Sequence, residues 1–175
     1  MLKIIMIYDQ VQAGAGTKDD KMVPLALKKE AVGPAVMMEP FLKEIDAKVV
    51  ACLYCGNGYY KENHDEVVRK LTAMVNKIHP DAVMCGPCFN FADYADMAAH
   101  VALSINENTD VPAIAAMSEE NEEVISQFKD RLLIVKTPKK GGIGLNDALR
   151  GMCKTVKALA DGKDTSDLKE EICFH

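Results

Sequence analysis

Two cysteine pairs are the residues best suited by type and spacing to chemistry, Cys52-Leu-Tyr-Cys55 and Cys85-Gly-Pro-Cys88. Cys-x-x-Cys spacing serves thiol–disulfide exchange when one thiol is activated, and metal ligation when thiols from two pairs converge. Cys85 to Cys88 lies between an apolar run and a helical pattern, where a helix N-terminus would lower a thiol pKa. The same segments hold polar side chains able to fix a small ligand: Gln10, Asn57, Asn63, Asn90, Glu120 and Asn121. Gly14 and Gly16 form a bare Gly-x-Gly, without the third glycine at a helix start that a dinucleotide fingerprint needs. Ser118-Glu-Glu-Asn121 reads as a helix cap that leaves Glu120 or Asn121 free for a ligand. Thr137-Pro-Lys-Lys-Gly-Gly-Ile-Gly144 reads as an anion nest or a solvated turn. The four histidines form no Ser-His-Asp or His-x-x-x-His arrangement and read as bystanders.

These residues must be held by the elements around them. Short apolar runs predict strands at Lys3 to Tyr8, Lys48 to Tyr54, Asp81 to Met84, Val111 to Met117 and Arg131 to Lys136. Helical patterns lie between them at about 35–45, 63–78, 90–105, 119–128 and 145–159, the second with Val67, Leu71, Met74, Val75 and Ile78 on one face. Pro40 either kinks the first helix or marks its start. Five strands alternating with helices predict an α/β fold, a three-layer sandwich of the Rossmann/flavodoxin kind on a mostly parallel sheet. Residues 1–160 read as one such domain and residues 161–175 as a polar, partly mobile tail. The polar stretch from Asp9 to Glu30 is long for a structureless loop, which points to function or to ordering by a partner. Ligands of doubly wound sheets bind at the carboxyl ends of the strands, which is where the cysteines and amides above fall.

The chain of 175 residues carries a formal net charge of −5, 49% hydrophobic and 27% charged residues. That balance supports a globular core, and the scattered lysines give no footprint for nucleic acid. No run of about eighteen apolar residues predicts a membrane span, and the N-terminus lacks the pattern of a signal peptide. Six cysteines in that setting predict a reducing, cytoplasmic location.

Taken in order, the motifs resemble the selenoprotein B family of glycine, sarcosine and betaine reductases. The resemblance runs through Tyr8-Asp-Gln10 with Gly14 and Gly16, and Val32-Gly33-Pro34. It is closest at Cys55-Gly-Asn-Gly-Tyr-Tyr-Lys-Glu-Asn63. It continues at Pro80-Asp81, Gly86-Pro-Cys-Phe-Asn90, Tyr94, Val111-Pro112, Met117, Glu120-Asn121 and Asp147-Ala-Leu149. It covers only the N-terminal part of that family; the half bearing the redox-active selenocysteine has no counterpart here. Cys85 and Cys88 stand where the family usually has small apolar residues.

The resemblance implies a domain that binds a small amino acid or amine for reductive C–N cleavage, working with other subunits that include a pyruvoyl-type partner. It places Gln10, Gly14, Asn57, Asn63, Asn90, Glu120 and Asn121 at the substrate and makes Cys55 the first thiol to consider. Cys85 and Cys88 give a second reading, a stand-alone dithiol oxidoreductase of the thioredoxin type. A non-catalytic binding module of the same fold is a third. No cofactor is expected, a zinc or iron–sulfur centre on Cys52, Cys55, Cys85 and Cys88 ranking below the other readings, and homo-oligomerisation is left open.

Overall fold

The apolar run at the N-terminus becomes β1 (Leu2–Tyr8), the central strand of a six-stranded sheet. From Ile4 to Tyr8 every residue is buried, as a strand covered on both faces requires. A computed structural model describes residues 1–175. After β1 come β2 (Ala26–Lys28), α1 (Pro34–Met37), α2 (Glu39–Glu44), β3 (Ala47–Tyr54), α3 (Asn57–Glu62) and α4 (His64–Ile78). The second half continues with β4 (Ala82–Cys85), α5 (Ala92–Asn108), β5 (Ala113–Met117), α6 (Glu122–Phe128), β6 (Ile134–Lys136), α7 (Leu145–Ala160) and α8 (Ser166–Ile172).

The strand order is β2-β3-β1-β4-β5-β6, with all pairs parallel except β2 against β3. The parallel strands alone therefore run in the doubly wound order 2-1-3-4-5. Helices α3 to α6 cover one face, chiefly through α5 on β4 and β5; α1, α2 and α7 cover the other. The expected mostly parallel sandwich is present, with one strand more than the sequence pattern announced. That strand, β2, is a three-residue edge whose Lys28 ammonium donates to the Ala13 carbonyl at 2.9 Å and lies over the Tyr54 ring. No helix is long and apolar enough to cross a membrane.

Three fully buried tyrosines tie the layers together, each through its hydroxyl. Buried tyrosines generally find such partners, because an unpaired hydroxyl in the core is costly. Tyr8 Oη donates to the Val32 carbonyl and accepts the Ala35 N–H, fixing the start of α1. Tyr94 Oη donates to the Ile7 carbonyl at 2.6 Å, joining α5 to the end of β1. Tyr60 Oη donates to the Asp96 carboxylate at 2.8 Å, joining α3 to α5.

Several local expectations are corrected. Ser118 does not cap α6: the helix begins at Glu122 with Asn121 at the cap position, and the Ser118 hydroxyl turns to Glu120. Pro40 lies in the first turn of α2, so it marks a helix start. On α4, Val67, Leu71 and Val75 are buried, whereas Ile78 is 39% exposed because the helix ends there. The segment read as a polar tail carries α8, which lies against α7 and β6. Cys173 beyond it is fully buried and bridges to Val135.

Candidate functional site

β1 is flanked by β3 on one side and β4 on the other, and the chain crosses between them. Such a switch point separates the loops that leave adjacent strands and opens a crevice at their carboxyl ends. Here the crevice is a cleft of ≈ 620 Å³ whose lining includes Asp9, Lys18, Lys21, Asn57, Asn90 and Asp93. A second cleft of ≈ 600 Å³ shares Asp93 and holds Asp96, Glu120, Asn121, Glu122 and Glu123. The ion pair between Lys61 and Asp93, 2.6 Å long, stands where the two meet.

Asp9 is the first residue past β1 and is only 2% exposed. Its Oδ1 accepts the Gln12 N–H at 2.9 Å, and its Oδ2 faces the Asn57 side-chain amide at 3.5 Å. Burial pushes its carboxyl pKa up, against the opposing pull of the hydrogen bonds from Gln12, Asn57 and Val11. Asn57 opens α3, and its Oδ1 is buried with no hydrogen-bond partner. A buried acceptor left unpaired is uncommon and carries a free-energy cost. Two acceptors, one of them charged, thus share a cleft whose lining also includes Lys18 and Lys21, together with Asp19 and Asp93. That set complements a small zwitterion: an ammonium at Asp9 and Asn57, a carboxylate near the lysines.

The structure distributes the expected substrate residues over three roles. Asn57 and Asn90 line the first cleft, Glu120 and Asn121 the second. Gln10 is fully buried behind the cleft. Its Oε1 accepts the Asn57 backbone N–H at 3.0 Å, capping α3 from outside, and its Nε2 points to the Thr17 carbonyl. Gly14 turns the loop after β1 in the left-handed region, φ 66°, away from both clefts. Asn63 joins α3 to α4 and its side chain donates back to the Tyr59 carbonyl.

Two of the cleft residues are braces as well. The Asn121 side chain donates to the Phe89 and Ser118 carbonyls. Asn90 Oδ1 accepts the Lys140 N–H, which ties the segment from Thr137 to Gly144 to the cleft. That hydrogen bond and the one from the Gly142 N–H to Lys139 commit two donors an anion nest would need.

All six cysteines are free and buried. Cys55 Sγ packs on the Met97 sulfur at 3.7 Å, and burial followed by the Asp9 charge pushes its thiol up to about 12. Burial likewise pushes Cys85 and Cys88 well above the usual thiol range. Cys88 sits in an irregular turn, its N–H donating to the Ala116 carbonyl; α5 starts only at Ala92, beyond reach of a helix-terminus effect. Burial thus disfavours the thiolate form of these cysteines and shields them from solvent. The four thiols of Cys52, Cys55, Cys85 and Cys88 do not converge on a common point. Cys52 lies by Tyr8 and Val32 under α1, while Cys55 faces α5 across the sheet.

Asp9, Lys18, Lys21, Lys61 and Asp93 escaped the sequence reading. Asp9 had one legible signal, since it is the first charged residue after a continuous apolar strand. Lys18 and Lys21 belong to the loop from Asp9 to Glu30, whose path is set by tertiary contacts, and Lys61 to α3.

The cleft of mixed charge lies at the switch point of a doubly wound sheet, the place where sheets of this kind hold ligands. The chain belongs to the glycine/sarcosine/betaine reductase selenoprotein B family, whose model matches residues 1–175. It is 29% identical over 162 residues to the sarcosine reductase complex component B subunit beta of Peptoclostridium acidaminophilum, covering 93% of this chain and 36% of that one. It is 31% identical over 135 residues to the glycine reductase complex component B subunit gamma of Carboxydothermus hydrogenoformans, covering 77% and 30% of the two chains. It is also 22% identical over 174 residues to the betaine reductase complex component B subunit beta of Peptoclostridium acidaminophilum, covering 99% and 39%. The match to the first of these thus spans little more than a third of that relative's length. No solved structure matches the chain.

Proposed function

We propose that this chain is the substrate-binding domain of a glycine/sarcosine/betaine-type reductase, holding a small amino acid or amine for reductive C–N cleavage with partner subunits. The observation that carries the reading is the pairing of buried Asp9 with the unpartnered Asn57 Oδ1 in a cleft also lined by Lys18 and Lys21. An ammonium group supplies the donor that Asn57 Oδ1 lacks and offsets the buried charge of Asp9. The lysines receive the carboxylate, an exposed and salt-sensitive contact. The names of its relatives, subunits of sarcosine, glycine and betaine reductase complexes, fit a ligand of this size and charge.

The test is calorimetric and amide-NMR titration of the chain with glycine, sarcosine and betaine. Saturable binding with shifts at Asp9, Asn57 and the loop before β2 is expected, glycine and sarcosine ahead of betaine, whose nitrogen has no N–H to donate. Asn57→Ala should weaken glycine binding about tenfold, the equivalent of one hydrogen bond to a charged donor. Absence of saturation for all three ligands, or unchanged affinity in Asn57→Ala, would overturn the proposal.

A further inference from the structure

Beside the acidic cleft, three side chains from two helices come together in a way that the small-ligand reading does not use. His64 opens α4, while Asp96 and His100 stand four residues apart on α5. Residues at i and i+4 of a helix share one face, so Asp96 and His100 point to the same side. One ligand atom from each of the three lies within 4.8 Å of the others, and no other group of three or more such side chains in the chain does this. Around a tetrahedral zinc, ligand atoms sit about 3.3 Å apart, given bond lengths of about 2.0–2.1 Å.

The surroundings orient each group as a metal ligand. His100 Nδ1 is 2.9 Å from the Asp96 main-chain carbonyl, which selects the tautomer with hydrogen on Nδ1 and frees Nε2. His64 Nδ1 is 3.1 Å from Asp65 Oδ1, with the same consequence. Metal-bound imidazoles nearly always donate their second nitrogen to a carbonyl or carboxylate in this manner. Tyr60 Oη donates to Asp96 Oδ2 at 2.8 Å, leaving Oδ1 for coordination. The rings of Tyr60, His64, His100 and Phe128 contact in sequence, centroids 4.7–4.9 Å apart, and wall the group on its apolar side.

From this geometry we propose that His64, Asp96 and His100 bind a divalent transition metal of the zinc class. Two imidazoles and a carboxylate supply three of four tetrahedral positions and leave the fourth to water or an exchangeable ligand. Asp96 also lines the acidic cleft, so the metal sits at its end. The assignment is independent of the amine site at Asp9 and Asn57.

The experiment is titration of chelator-stripped protein with cobalt(II), read by its visible d–d bands, followed by displacement with zinc. One equivalent of cobalt with the strong absorption of a four-coordinate ion, displaced by zinc, is expected. His100→Gln, which retains a polar planar side chain, and Asp96→Asn should each weaken cobalt binding about 100-fold, a loss of one ligand being at least as severe as loss of an outer partner. His79→Ala and Cys88→Ser should bind as the parent does; circular dichroism checks that all variants fold. If the parent binds no cobalt at millimolar concentration, or if His100→Gln and Asp96→Asn bind as tightly as the parent, the proposal fails and the three residues are an aromatic–polar packing cluster. Loss of binding in Cys88→Ser alone would also overturn it, by moving the metal to the thiols.

Discussion

At the scale of single residues, the buried carboxylate of Asp9 sets the character of the cleft. Its pKa is raised, mainly because burial disfavours its charge. An aspartate whose folded pKa lies above its unfolded one contributes stability that is complete below the unfolded value and is lost as pH rises through the folded value. Asp9 thus weakens the ligand-free fold at neutral pH. Asp9→Asn is expected to raise the urea midpoint at pH 7, and the difference should shrink as pH falls through the raised folded value and vanish below about 3.9, the ordinary aspartate value. The same variant should lose glycine binding, since an amide next to Asn57 brings no charge to an ammonium group. Urea melts at both pH values, set beside the titration, separate the two effects. A gain in stability with a loss of binding is the signature of a residue retained for its ligand.

At the scale of elements, the site depends on how the loop after β1 is clamped to the start of α3. The Gly56 N–H donates to the Val23 carbonyl at 2.7 Å, and the Tyr59 N–H donates to the Lys21 carbonyl at 2.9 Å. A methyl group on Gly56 would lie 2.0 Å from the Lys21 carbonyl oxygen, a backbone atom with little freedom to move. Gly56→Ala should therefore cost about 1–3 kcal/mol by overpacking. It should also speed amide exchange across residues 17–25, as measured by hydrogen–deuterium exchange mass spectrometry.

This clamp shows what the sequence disclosed and what it withheld. The long strands and helices announced themselves through apolar runs and helical periodicity, because their own residues bury them: Ile4 to Tyr8 and the Val67, Leu71, Val75 stripe are examples. β2 stayed hidden because Ala-Leu-Lys has no alternation of its own and pairs with β3 only through the loop that delivers it. α3 stayed hidden because Asn57-Gly-Tyr-Tyr reads as a turn; Gln10, 47 residues away, caps it. The residue types of the site were visible, and the strand ends located several of them. The division of labour between Asn57 in the cleft and Gln10 behind it depended on which amide atoms were already committed, which only the fold reveals. His64 and His100 looked unconnected because the relevant spacing was from Asp96 to His100, with the second histidine supplied by a neighbouring helix.

At the scale of the whole molecule, the six buried thiols report on the integrity of the fold. They are distributed over both faces of the sheet and the final turn at Cys173, and each thiol pKa is raised, burial being the main cause throughout. None should react quickly with a disulfide reagent under native conditions. Labelling should run at least about 1000-fold slower than for an unfolded chain, in keeping with the opening free energy of a buried core. Denaturant should release all six. Fast labelling of Cys85 and Cys88 in the native state would revive the dithiol reading. Kinetics with an Ellman-type reagent, with mass spectrometry of the labelled peptides, distinguish the two outcomes.

The central position of β1 also governs the order in which the molecule can be assembled. This strand precedes both of its sheet neighbours along the chain, which begin at Ala47 and Ala82. The nascent chain must carry an uncovered apolar strand until both have been synthesised, and parallel pairing over such separations is slow to close. The switch point that makes the cleft also leaves this strand waiting, so the feature that equips the domain to hold a ligand makes its early biosynthesis a period of exposure to aggregation.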